Sequence, residues 1–600
     1  MAADTIIHRF LKQADLRPNA PAYHVKKGGS WKGSTWKQYV TEAKTAARAL
    51  LALGVGKKDQ AGAEACVCIL GFNRPEWTIM DFATMMVGGA PAGIYTTCSP
   101  TEVAYIVGHT ESKVVLVEND EQLKKVQEKR AELPKLEKIV LMQGAKPTNK
   151  DDMVLSWEEF LAKAEGTSES VLQSHIDALD PRRLATLIYT SGTTGPPKGV
   201  MLSHENLSFT AQCAVDMMAD TTASDSVVSY LPLSHIAEQM FTLHVPATAG
   251  SQVYFAESIE KVAENFKEVQ PTILFAVPRI WEKFYAGVTA KLALAKGLKA
   301  ALVKAARETG FEVNELKNRG REPSGWLALK YGFFSKKVYG PLKEALGLSR
   351  AKLCVSGAAP ISADIIKFFA GLDVCIREVY GQSEDTGPTT FNLPGKTRFG
   401  SVGPAVPGVT VKIAEDEEIL VKGKNVFMGY YKEPVATDET LKDGWLYSGD
   451  LGRIDAEGFL HITGRKKDLI ITAGGKNIAP KNIESALKDH PLVGEAVVIG
   501  DRRKFLSALI SLDPEATAKF ATDHGLANGA LHEAPAVLAA VQKQIDLVNR
   551  DLARVEQVKK FSIVKRAFSI EGGELTPTLK VKRKKVNEHY AADIEAMYEE

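Results

Sequence analysis

Short apolar runs that alternate with helical patterns constrain the fold of this chain most strongly. The runs at 114–118 and 139–142 have the length and composition of buried strands, and the charged, helix-prone segment 121–132 lies between them. Strands that are apolar throughout and separated by helices are typical of parallel sheets covered on both faces. Similar apolar runs lie at 65–71, 227–230, 252–255, 273–277 and 353–356, and helical patterns lie at 39–53 and 76–88. The sequence therefore predicts an α/β fold of layered subdomains.

The composition changes twice further along the chain. Ala, Lys and Leu dominate residues 284–349, which we interpret as a helical insertion on the α/β body. A separate helical hairpin that contacts a partner or a membrane is the alternative. Residues 403–459 form shorter segments broken by Gly and Pro, which indicates a β-rich subdomain. Residues 463–467 are polar and turn-like. Beyond them, strands at 469–471, 496–499 and 506–512 and helices at 480–489 and within 515–558 predict a separate small α/β domain.

The charge balance and the cysteines exclude several classes of protein. Lys and Arg number 75 against 73 Asp and Glu, a formal net charge of +2, which argues against a protein that mainly holds nucleic acid. No apolar run reaches the roughly 18–20 residues of a membrane span, and residues 1–18 lack the apolar core of a signal peptide. We expect a cytoplasmic protein, for which peripheral membrane contact stays open. The cysteines lack zinc-site spacing and are expected to be reduced: Cys66, Cys68, Cys98, Cys213, Cys354 and Cys375.

A loop rich in small residues and hydroxyl groups follows the apolar run that ends near residue 190. Residues 187–204 read Leu-Ile-Tyr-Thr-Ser-Gly-Thr-Thr-Gly-Pro-Pro-Lys-Gly-Val-Met-Leu-Ser-His. The glycines let the backbone approach a ligand closely, the hydroxyls can bind oxygen atoms, and Lys198 supplies positive charge. The loop therefore suits a polyphosphate, although it lacks the spacing of a Walker loop. Its candidate phosphate-binding residues are Thr190, Ser191, Gly192, Thr193, Thr194, Gly195 and Lys198.

This loop and four further blocks, in the expected order, resemble the motifs of the adenylate-forming superfamily of acyl-CoA synthetases, adenylation domains and luciferases. The blocks are Ser-Gly-Ala-Ala-Pro at 356–360, Tyr-Gly-Gln-Ser-Glu at 380–384, Tyr-Ser-Gly-Asp at 447–450 and Gly-Arg-Lys-Lys-Asp at 464–468. The resemblance implies a large N-terminal domain, residues 1–465, and a small mobile C-terminal domain, residues 466–600. It also implies that a carboxylate attacks ATP to give an acyl-adenylate, and that a thiol then displaces AMP.

The resemblance assigns roles to individual residues. Tyr380 would pack on adenine, and the Asp450 carboxylate would accept hydrogen bonds from both ribose hydroxyls. Arg465 offers a fork of donors to ribose or phosphate oxygens. Glu384 and the Thr190 hydroxyl are hard oxygen ligands of the kind that Mg²⁺ prefers. The residues implied to bind ATP or AMP outside the phosphate loop are Gly357, Ala358, Ala359, Tyr380, Gly381, Gln382, Ser383, Asp450 and Arg465.

The implied chemistry needs positioning and charge neutralisation more than a protein nucleophile. Lys198 would hold the leaving pyrophosphate, and a second lysine near the C-terminus would bridge the carboxylate and the α-phosphate. The matching stretch, 573–583, lacks the Gly that usually precedes this lysine and resembles the Leu-Thr-Pro-Thr-x-Lys variant of long-chain acyl-CoA synthetases. We assign Lys580 to this role, and Lys582 is the alternative.

A swing of the small domain between the half-reactions is typical of the superfamily. Lys467 matches the hinge by its position in the block at 464–468. The swing would exchange the Lys580 loop for residues 473–476, whose glycines suit a backbone that passes close to pantetheine. The residues predicted to line the approach of the CoA thiol are Gly474, Gly475 and Lys476.

Three segments resemble long-chain fatty acid–CoA ligases, most closely the bubblegum-type group. They are Val-Pro-Arg-Ile-Trp-Glu-Lys at 277–283, followed by the helical insertion, then residues 500–506, and Thr-Pro-Thr-Leu-Lys at 576–580. The block at 231–238 matches one beside the acyl carboxylate, which His235 would flank. Residues 240–245 and 275–277 are candidates for an apolar acyl tunnel, and equally for the core. The implied function is a long-chain fatty acid–CoA ligase that uses ATP, Mg²⁺ and CoA.

Two alternatives keep the same fold: a fatty acyl–AMP ligase that loads a separate acyl carrier protein, and a non-catalytic scaffold. Glu384, Asp450 and the two lysines oppose the scaffold. The expected partners are fatty acid, ATP and CoA, with no nucleic acid. The segment 326–334 is a candidate lipid-facing surface. The sequence leaves chain-length preference and oligomeric state open.

Overall fold

The computed structural model describes residues 4–56, 65–149, 151–190, 196–218, 221–473, 477–526, 529–576 and 579–599. The first elements are α1 (Ile6–Leu16), β1 (Pro21–Lys27), β2 (Ser30–Thr35), α2 (Trp36–Ala52), β3 (Cys66–Leu70), α3 (Pro75–Met86), β4 (Ala90–Ile94), α4 (Pro100–His109), β5 (Val114–Val117), α5 (Asp120–Glu128), β6 (Lys138–Leu141), β7 (Val154–Leu155), α6 (Trp157–Ala162), α7 (Glu169–Asp177), β8 (Leu184–Thr190), β9 (Lys198–Ser203), α8 (His204–Met217), β10 (Ser226–Ser229), α9 (Ile236–Gln239), α10 (Val245–Ala249) and β11 (Gln252–Phe255). The next are α11 (Val262–Val269), β12 (Ile273–Ala276), α12 (Pro278–Ala293), α13 (Leu298–Lys317), α14 (Gly325–Phe334), α15 (Gly340–Leu346), β13 (Leu353–Ser356), α16 (Ala363–Gly371), β14 (Ile376–Tyr380), β15 (Thr390–Phe391), β16 (Thr410–Ile413), β17 (Glu418–Lys422), β18 (Gly429–Tyr430), α17 (Pro434–Thr440), β19 (Leu441–Lys442), β20 (Trp445–Ile454) and β21 (Leu460–Arg465). The last are β22 (Ile470–Ile471), β23 (Asn477–Ile478), α18 (Pro480–Leu487), β24 (Val493–Ile499), β25 (Leu506–Leu512), α19 (Pro514–Asp523), α20 (Pro535–Asn549), β26 (Val558–Ile563), α21 (Arg583–His589) and α22 (Ala591–Ala596).

An eight-stranded sheet with the order β18-β9-β8-β4-β3-β5-β6-β7 lies at the centre of the first half of the chain. Six neighbouring strands, β8, β4, β3, β5, β6 and β7, run parallel to one another. At one edge of the sheet, β9 pairs antiparallel with β8, and β18 pairs antiparallel with β9. Alternate side chains of β3 enter different cores, with Val67 and Ile69 on one face and Cys68 and Leu70 on the other. Both faces are therefore covered, which confirms the predicted parallel α/β layers. The buried strand β8 ends at Thr190, where the candidate phosphate loop begins.

Among the described residues between 21 and 465, three more sheets are formed. Two have the orders β10-β11-β1-β2 and β12-β13-β14-β15, and the third is antiparallel, with the order β16-β17-β20-β19 and β21 on β20. The antiparallel sheet lies in the segment predicted to be β-rich. The predicted turn at 463–467 is wrong in part, because β21 continues to Arg465, which pairs with Asp450 of β20. Residues 466–468 form a short 3₁₀ turn.

The C-terminal part is built on a small sheet with the order β24-β25-β26. One face packs against α18 and α20 through residues such as Ile483, and a second core contains Val586 of α21. The helical stretch predicted within 515–558 is two helices, because Gly525 has φ of +62° after α19 and Pro535 begins α20. The fold class predicted from the sequence is confirmed, whereas the exact domain boundary at 465/466 stays a prediction.

Four helices, α12 to α15, occupy residues 278–346, where the sequence predicts a helical insertion. The buried Trp281 anchors α12, because its indole N–H donates a hydrogen bond of 3.3 Å to the Val355 carbonyl of β13. Within the described ranges, no helix is both long and apolar enough to cross a membrane. All six cysteines are free thiols, as expected. The described residues contain no cluster of three or more His, Cys, Asp or Glu side chains that could hold a metal ion.

Candidate active site

The segments predicted to contact adenine require glycine at two positions. A Cβ on Gly357 would lie 2.6 Å from the Val379 side chain, and a Cβ on Gly381 would lie 1.4 Å from the Gly387 carbonyl oxygen. A larger residue at 357 would therefore push the end of β13 away from β14, and one at 381 would displace the backbone at Gly387. Ala358, exposed directly after β13, has φ of +67°, a left-handed conformation that is often found at ligand sites. These strand ends offer backbone and small side chains to a flat ligand.

The Asp450 carboxylate connects β14 to β20. Its Oδ2 accepts hydrogen bonds from Tyr380 Oη across 2.9 Å and from Gln382 Nε2 across 2.5 Å. The same Gln382 nitrogen donates to the Ser448 carbonyl across 2.9 Å. Arg465 lies opposite Asp450 in the β20–β21 ladder, with its Nε 3.7 Å from Asp450 Oδ1. The carboxylate is thus held by neighbours on both oxygens, and each oxygen retains acceptor capacity for a diol.

Buried Asp385 fixes the shape of the segment that carries Tyr380. Its carboxyl accepts hydrogen bonds from the Gln382 backbone N–H across 2.6 Å and from Thr389 Oγ1 across 2.5 Å. Burial raises the pKa of Asp385 to about 8. Asp385 was not predicted as a site residue, because no pattern in the sequence around it signals burial.

Tyr430 contacts two of the predicted residues and was not itself predicted from the sequence. Its hydroxyl donates a hydrogen bond of 2.8 Å to Glu384 Oε1, and Lys198 Nζ lies 5.0 Å from the centre of its ring. Tyr430 reaches this position because β18 pairs with β9 opposite Val200. Thr190 pairs with Lys198 in the β8–β9 ladder. Glu384, Lys198 and Thr190 therefore surround the start and end of the candidate phosphate loop.

Lys580, from the C-terminal part, contributes to the same site. Burial lowers the pKa of Lys580 and the charge of Arg465 lowers it further, whereas the carboxylates of Asp450 and Glu384 oppose this shift. Thr576 holds the backbone of Lys580 in both directions: the Lys580 N–H donates to Thr576 Oγ1 across 3.0 Å, and the Thr576 N–H donates to the Lys580 carbonyl across 2.8 Å. The side chain is crowded by protein atoms yet keeps contact with solvent, as a group that meets a diffusing substrate must.

His235 precedes the short helix α9 and is held in its neutral form. Its Nδ1 accepts a hydrogen bond of 3.1 Å from the Ala237 N–H. Burial lowers the pKa of His235 to about 4, and the charge of Lys580 acts in the same direction. The neutral ring therefore carries its proton on Nε2. Glu238 fixes α9 to β10, because its buried carboxyl accepts a hydrogen bond of 2.8 Å from Ser229 Oγ.

Some of the remaining predicted residues lie within the described part of the chain, and the others lie outside it. Lys467 is exposed in the 3₁₀ turn, next to Lys466, whose ammonium pairs with Asp416 at 2.6 Å and with Glu418 at 2.9 Å. Ala359 is exposed and Ser383 is buried beside the residues described above. The predicted residues that lie outside the described part of the chain are Ser191, Gly192, Thr193, Thr194, Gly195, Gly474, Gly475 and Lys476.

The site residues Asp450, Glu384 and Lys580 come from a layered α/β body, a β-rich sheet and a small α/β unit. This arrangement is typical of a nucleotide-binding enzyme. The chain belongs to the AMP-binding enzyme family, which matches residues 10–431, and the C-terminal domain of AMP-binding enzymes matches residues 467–600. Within it, the chain groups with the bubblegum-type long-chain fatty acid–CoA ligases, as the sequence resemblance predicted.

Three curated relatives illustrate this relationship. The long-chain-fatty-acid–CoA ligase ACSBG2 of Xenopus laevis is 37% identical over 630 residues, which cover 99% of this chain and 84% of the relative. Human ACSBG1 is 36% identical over 628 residues, 99% of this chain and 85% of the relative. FadD15 of Mycobacterium bovis is 36% identical over 578 residues, 95% of this chain and 93% of the relative.

Solved structures share the fold. The anthranilate CoA ligase AuaEII in complex with anthranoyl-AMP is similar with a TM-score of 0.72 and 22% identity, and the match covers 99% of both chains. The O-succinylbenzoate CoA synthetase MenE of Bacillus subtilis in complex with AMP is similar with a TM-score of 0.66 and 22% identity, covering 96% of this chain and 97% of the other.

Proposed function

We propose that this protein is an ATP-dependent long-chain fatty acid–CoA ligase. In the first half-reaction, a carboxylate oxygen of the fatty acid attacks the α-phosphorus of ATP, and pyrophosphate leaves. In the second, the CoA thiol attacks the acyl carbon of the acyl-adenylate, loses its proton, and AMP leaves. The observation that carries the proposal is the Asp450 carboxylate, which Tyr380 and Gln382 orient beside Arg465. Lys580 of the C-terminal part lies close enough for the charges of Arg465, Asp450 and Glu384 to act on it.

The nucleoside is held by the ends of β14 and β20. Asp450 accepts hydrogen bonds from the ribose hydroxyls, and its orientation is set in advance by Tyr380 and Gln382. Arg465, beside Asp450, supplies donors to ribose or phosphate oxygens. The turn at 357–359 lies against the adenine. Lys198 holds the leaving pyrophosphate by its positive charge.

Lys580, rather than Lys582, bridges the fatty acid carboxylate and the α-phosphate. Lys580 interacts electrostatically with Asp450, Glu384 and His235. Lys582 instead precedes α21, its N–H donates a hydrogen bond of 2.7 Å to the Glu574 carbonyl, and its charge acts on Cys98. The two lysines therefore have different neighbours, and the neighbours of Lys580 are the residues that we propose bind the nucleotide.

Glu384 and the Thr190 hydroxyl would hold Mg²⁺. The donor chemistry fits the ion, because a carboxylate and a hydroxyl beside a phosphate loop are hard oxygen ligands. Tyr430 orients the carboxylate through Oε1. When bound, Mg²⁺ neutralises phosphate charge.

His235 flanks the fatty acid carboxylate as a neutral donor. An Nε2–H group can orient one carboxylate oxygen by a hydrogen bond without adding a second positive charge beside Lys580. The candidates for the walls of the acyl tunnel are the buried Met240 and the stacked rings of Phe241 and Phe275, whose centres are 5.0 Å apart.

Lys467 is the hinge. Lys466 is tied to Asp416 and Glu418 of the antiparallel sheet, so rotation of the C-terminal part would begin directly after it. The rotation would replace Lys580 by residues 474–476 in front of the adenylate, and the CoA thiol would approach along them.

Two assays test the proposed function. Palmitate-dependent exchange of pyrophosphate into ATP is expected, and its absence with fatty acids of every chain length would leave only the scaffold alternative. Palmitate, ATP and Mg²⁺ are then offered with either CoA or a pantetheinylated acyl carrier protein. We expect acyl-CoA to form, whereas exclusive acylation of the carrier protein would show a fatty acyl–AMP ligase.

A peripheral contact with anionic membranes is the second part of the proposal. Trp326, Leu329 and Phe333 lie on one face of α14 and are 70%, 67% and 52% exposed. Residues 323–342 contain no Asp or Glu but include Lys330, Lys336 and Lys337. An apolar face with surrounding cations suits the interface of an anionic bilayer, from which a long-chain acid can be taken.

Flotation with vesicles tests this contact. The protein is expected to float with vesicles that contain phosphatidylglycerol, and the combined Trp326→Ser, Leu329→Ser and Phe333→Ser variant is expected to remain at the bottom. The control replaces three exposed apolar residues elsewhere by serine: Leu16, Ile259 and Val435. Equal flotation of both variants would contradict the assignment of this surface.

A further inference from the structure

The start of α12 touches the C-terminal part of the chain through an ion pair. Nη2 of Arg279 lies 3.0 Å from Oδ2 of Asp513, with the two side chains 40% and 22% exposed. Both residues are held on their own side. Asp513 caps α19, because its Oδ1 accepts a hydrogen bond of 3.0 Å from the Ala516 N–H. Trp281, two residues after Arg279, is buried and bonded to Val355. The pair therefore joins two rigid elements.

A short series of contacts connects Asp513 to the Lys580 loop. Asp513 directly follows β25, whose Ser511 accepts a hydrogen bond of 3.0 Å on Oγ from the Phe568 N–H. The Leu575 N–H, in turn, donates to the Ser569 carbonyl across 3.1 Å. The next residue after Leu575 is Thr576, which holds the backbone of Lys580. A displacement of Asp513 away from α12 would therefore carry the lysine loop with it.

Negative charges oppose this attraction at the same interface. Asp489, which follows α18, interacts with the Ser362 side chain and with the charges of Asp364 and Glu282. Burial raises the pKa of Glu282, whereas the positive charges of Lys488 and Arg279 lower it, so these two residues attract the Glu282 carboxylate. The contact between the two parts thus contains both attraction and repulsion, and the Arg279–Asp513 pair contributes to the attraction.

We propose that Arg279 is a positioning residue, whose ion pair with Asp513 holds the C-terminal part in the orientation that brings Lys580 to the nucleotide, and that this pair separates for the thiol step. The inference rests on the proposed function, since it assigns the pair to one of the two half-reactions. In this proposal, Arg279 does not touch the substrate and affects the reaction only through the position of Lys580.

Single-turnover kinetics of the separated half-reactions test this role. The variants Arg279→Gln and Asp513→Asn remove one charge each, and Asn preserves the helix cap. Each is expected to slow acyl-adenylate formation by ~2–5-fold, the range of a partly exposed ion pair, and to leave thioester formation from added acyl-adenylate and CoA unchanged or faster. The double variant is expected to be no slower than either single variant, because the pair is already broken. The control is Arg319→Gln, which breaks an ion pair with Glu315 inside α13.

A distance measurement makes the test independent of activity. Spin labels are placed at Glu158→Cys in α6 and Lys519→Cys in α19, in a background with Cys375→Ser, and distances are measured without substrates. The Arg279→Gln variant is expected to lower the ratio of the short-distance population to the others by ~2–5-fold. Equal losses in both half-reactions, additive losses in the double variant, or an unchanged distance distribution would overturn the inference. Failure of wild-type protein to form any acyl-adenylate would instead overturn the proposed function, and the distance measurement would still decide whether the ion pair sets the orientation.

Discussion

The hydroxyl of Tyr380 donates a hydrogen bond of 2.9 Å to Oδ2 of Asp450. The two residues belong to different sheets, since Tyr380 ends β14 and Asp450 lies within the antiparallel strand β20. This bond therefore fixes the β-rich sheet against the α/β body at the point where we propose that the nucleoside binds. The carboxylate is oriented before any ribose arrives, which reduces the cost of binding.

Asp450→Asn is expected to raise KM for ATP by ~10–100-fold, because hydrogen bonds to a charged acceptor contribute about 1.5–3 kcal/mol. The measurement is pyrophosphate release at varied ATP. Asp455→Asn is the control, since Asp455 lies in the same sheet but pairs with His461 at 3.0 Å and with Arg398 at 2.5 Å. An unchanged KM in Asp450→Asn, or the same change in both variants, would contradict the ribose assignment.

Glu384→Gln is expected to raise the Mg²⁺ concentration needed for half-maximal adenylate formation by ~10–100-fold, because an amide replaces a charged ligand. Titration of Mg²⁺ at fixed ATP measures this shift. Glu417→Gln, an exposed residue of the antiparallel sheet region, is the control. If Glu384→Gln kept its Mg²⁺ requirement, the metal would have to be held by other groups.

Lys467→Pro is expected to slow thioester formation on the order of tenfold or more, and adenylate formation less, because proline fixes φ at the hinge and misplaces the second orientation. Lys467→Ala removes the same side chain but leaves the backbone free, and it is expected to retain both steps. The two half-reactions are measured separately with added acyl-adenylate. Equal slowing of both steps by proline would argue against a hinge at this residue.

Asp489 makes the contact between the two parts of the chain depend on pH. Burial, together with the charges of Asp364 and Glu282, raises the pKa of Asp489 from 3.8 to about 6. The closed contact therefore retains a proton that the separated parts release, so its stability falls as pH rises from about 4 to about 6 and stays low above that range. Solvent beside the side chain screens this effect.

Asp489→Asn, which cannot ionise, is expected to favour the orientation for adenylate formation at pH 7.5. The ratio of the adenylate-forming rate to the thiol-step rate should therefore rise by roughly twofold relative to wild type at pH 7.5 and differ less at pH 5. Asp523→Asn, exposed at the end of α19, is the control. A ratio in Asp489→Asn that equals wild type at both pH values would contradict this account.

The sequence predicted the individual segments of the site better than it predicted how they are arranged in space. The strand predicted at 353–356 coincides with β13, which is buried on both faces, as its apolar run indicated. The strand predicted at 252–255 coincides with β11, in which the buried Val253 and Phe255 alternate with half-buried residues. The pairing of Asp450 with Arg465 was not predicted, since the polar residues 463–467 indicated a turn. Strand pairing decided this position, and it depends on partners distant in sequence.

Tyr430 shows the same limit more clearly. Its contacts with Glu384 and Lys198 depend on a two-residue strand that pairs with β9, and no pattern around a Gly-Tyr dipeptide reports such pairing. The choice between Lys580 and Lys582 could not be made by spacing either. It depends on the isolated antiparallel bridge between Leu575 and Val581 and on the hydrogen bond between Thr576 and the Lys580 N–H.

We propose that Lys580 acts in the formation of the acyl-adenylate and not in its conversion to the thioester. The most direct measurement compares Lys580→Ala with Lys582→Ala in palmitate-dependent pyrophosphate exchange and in thioester formation from preformed palmitoyl-adenylate. We expect Lys580→Ala to lose pyrophosphate exchange by ~10²–10³-fold and to retain the thiol step, while Lys582→Ala keeps both. Normal exchange in Lys580→Ala, or selective loss of exchange in Lys582→Ala, would contradict the account.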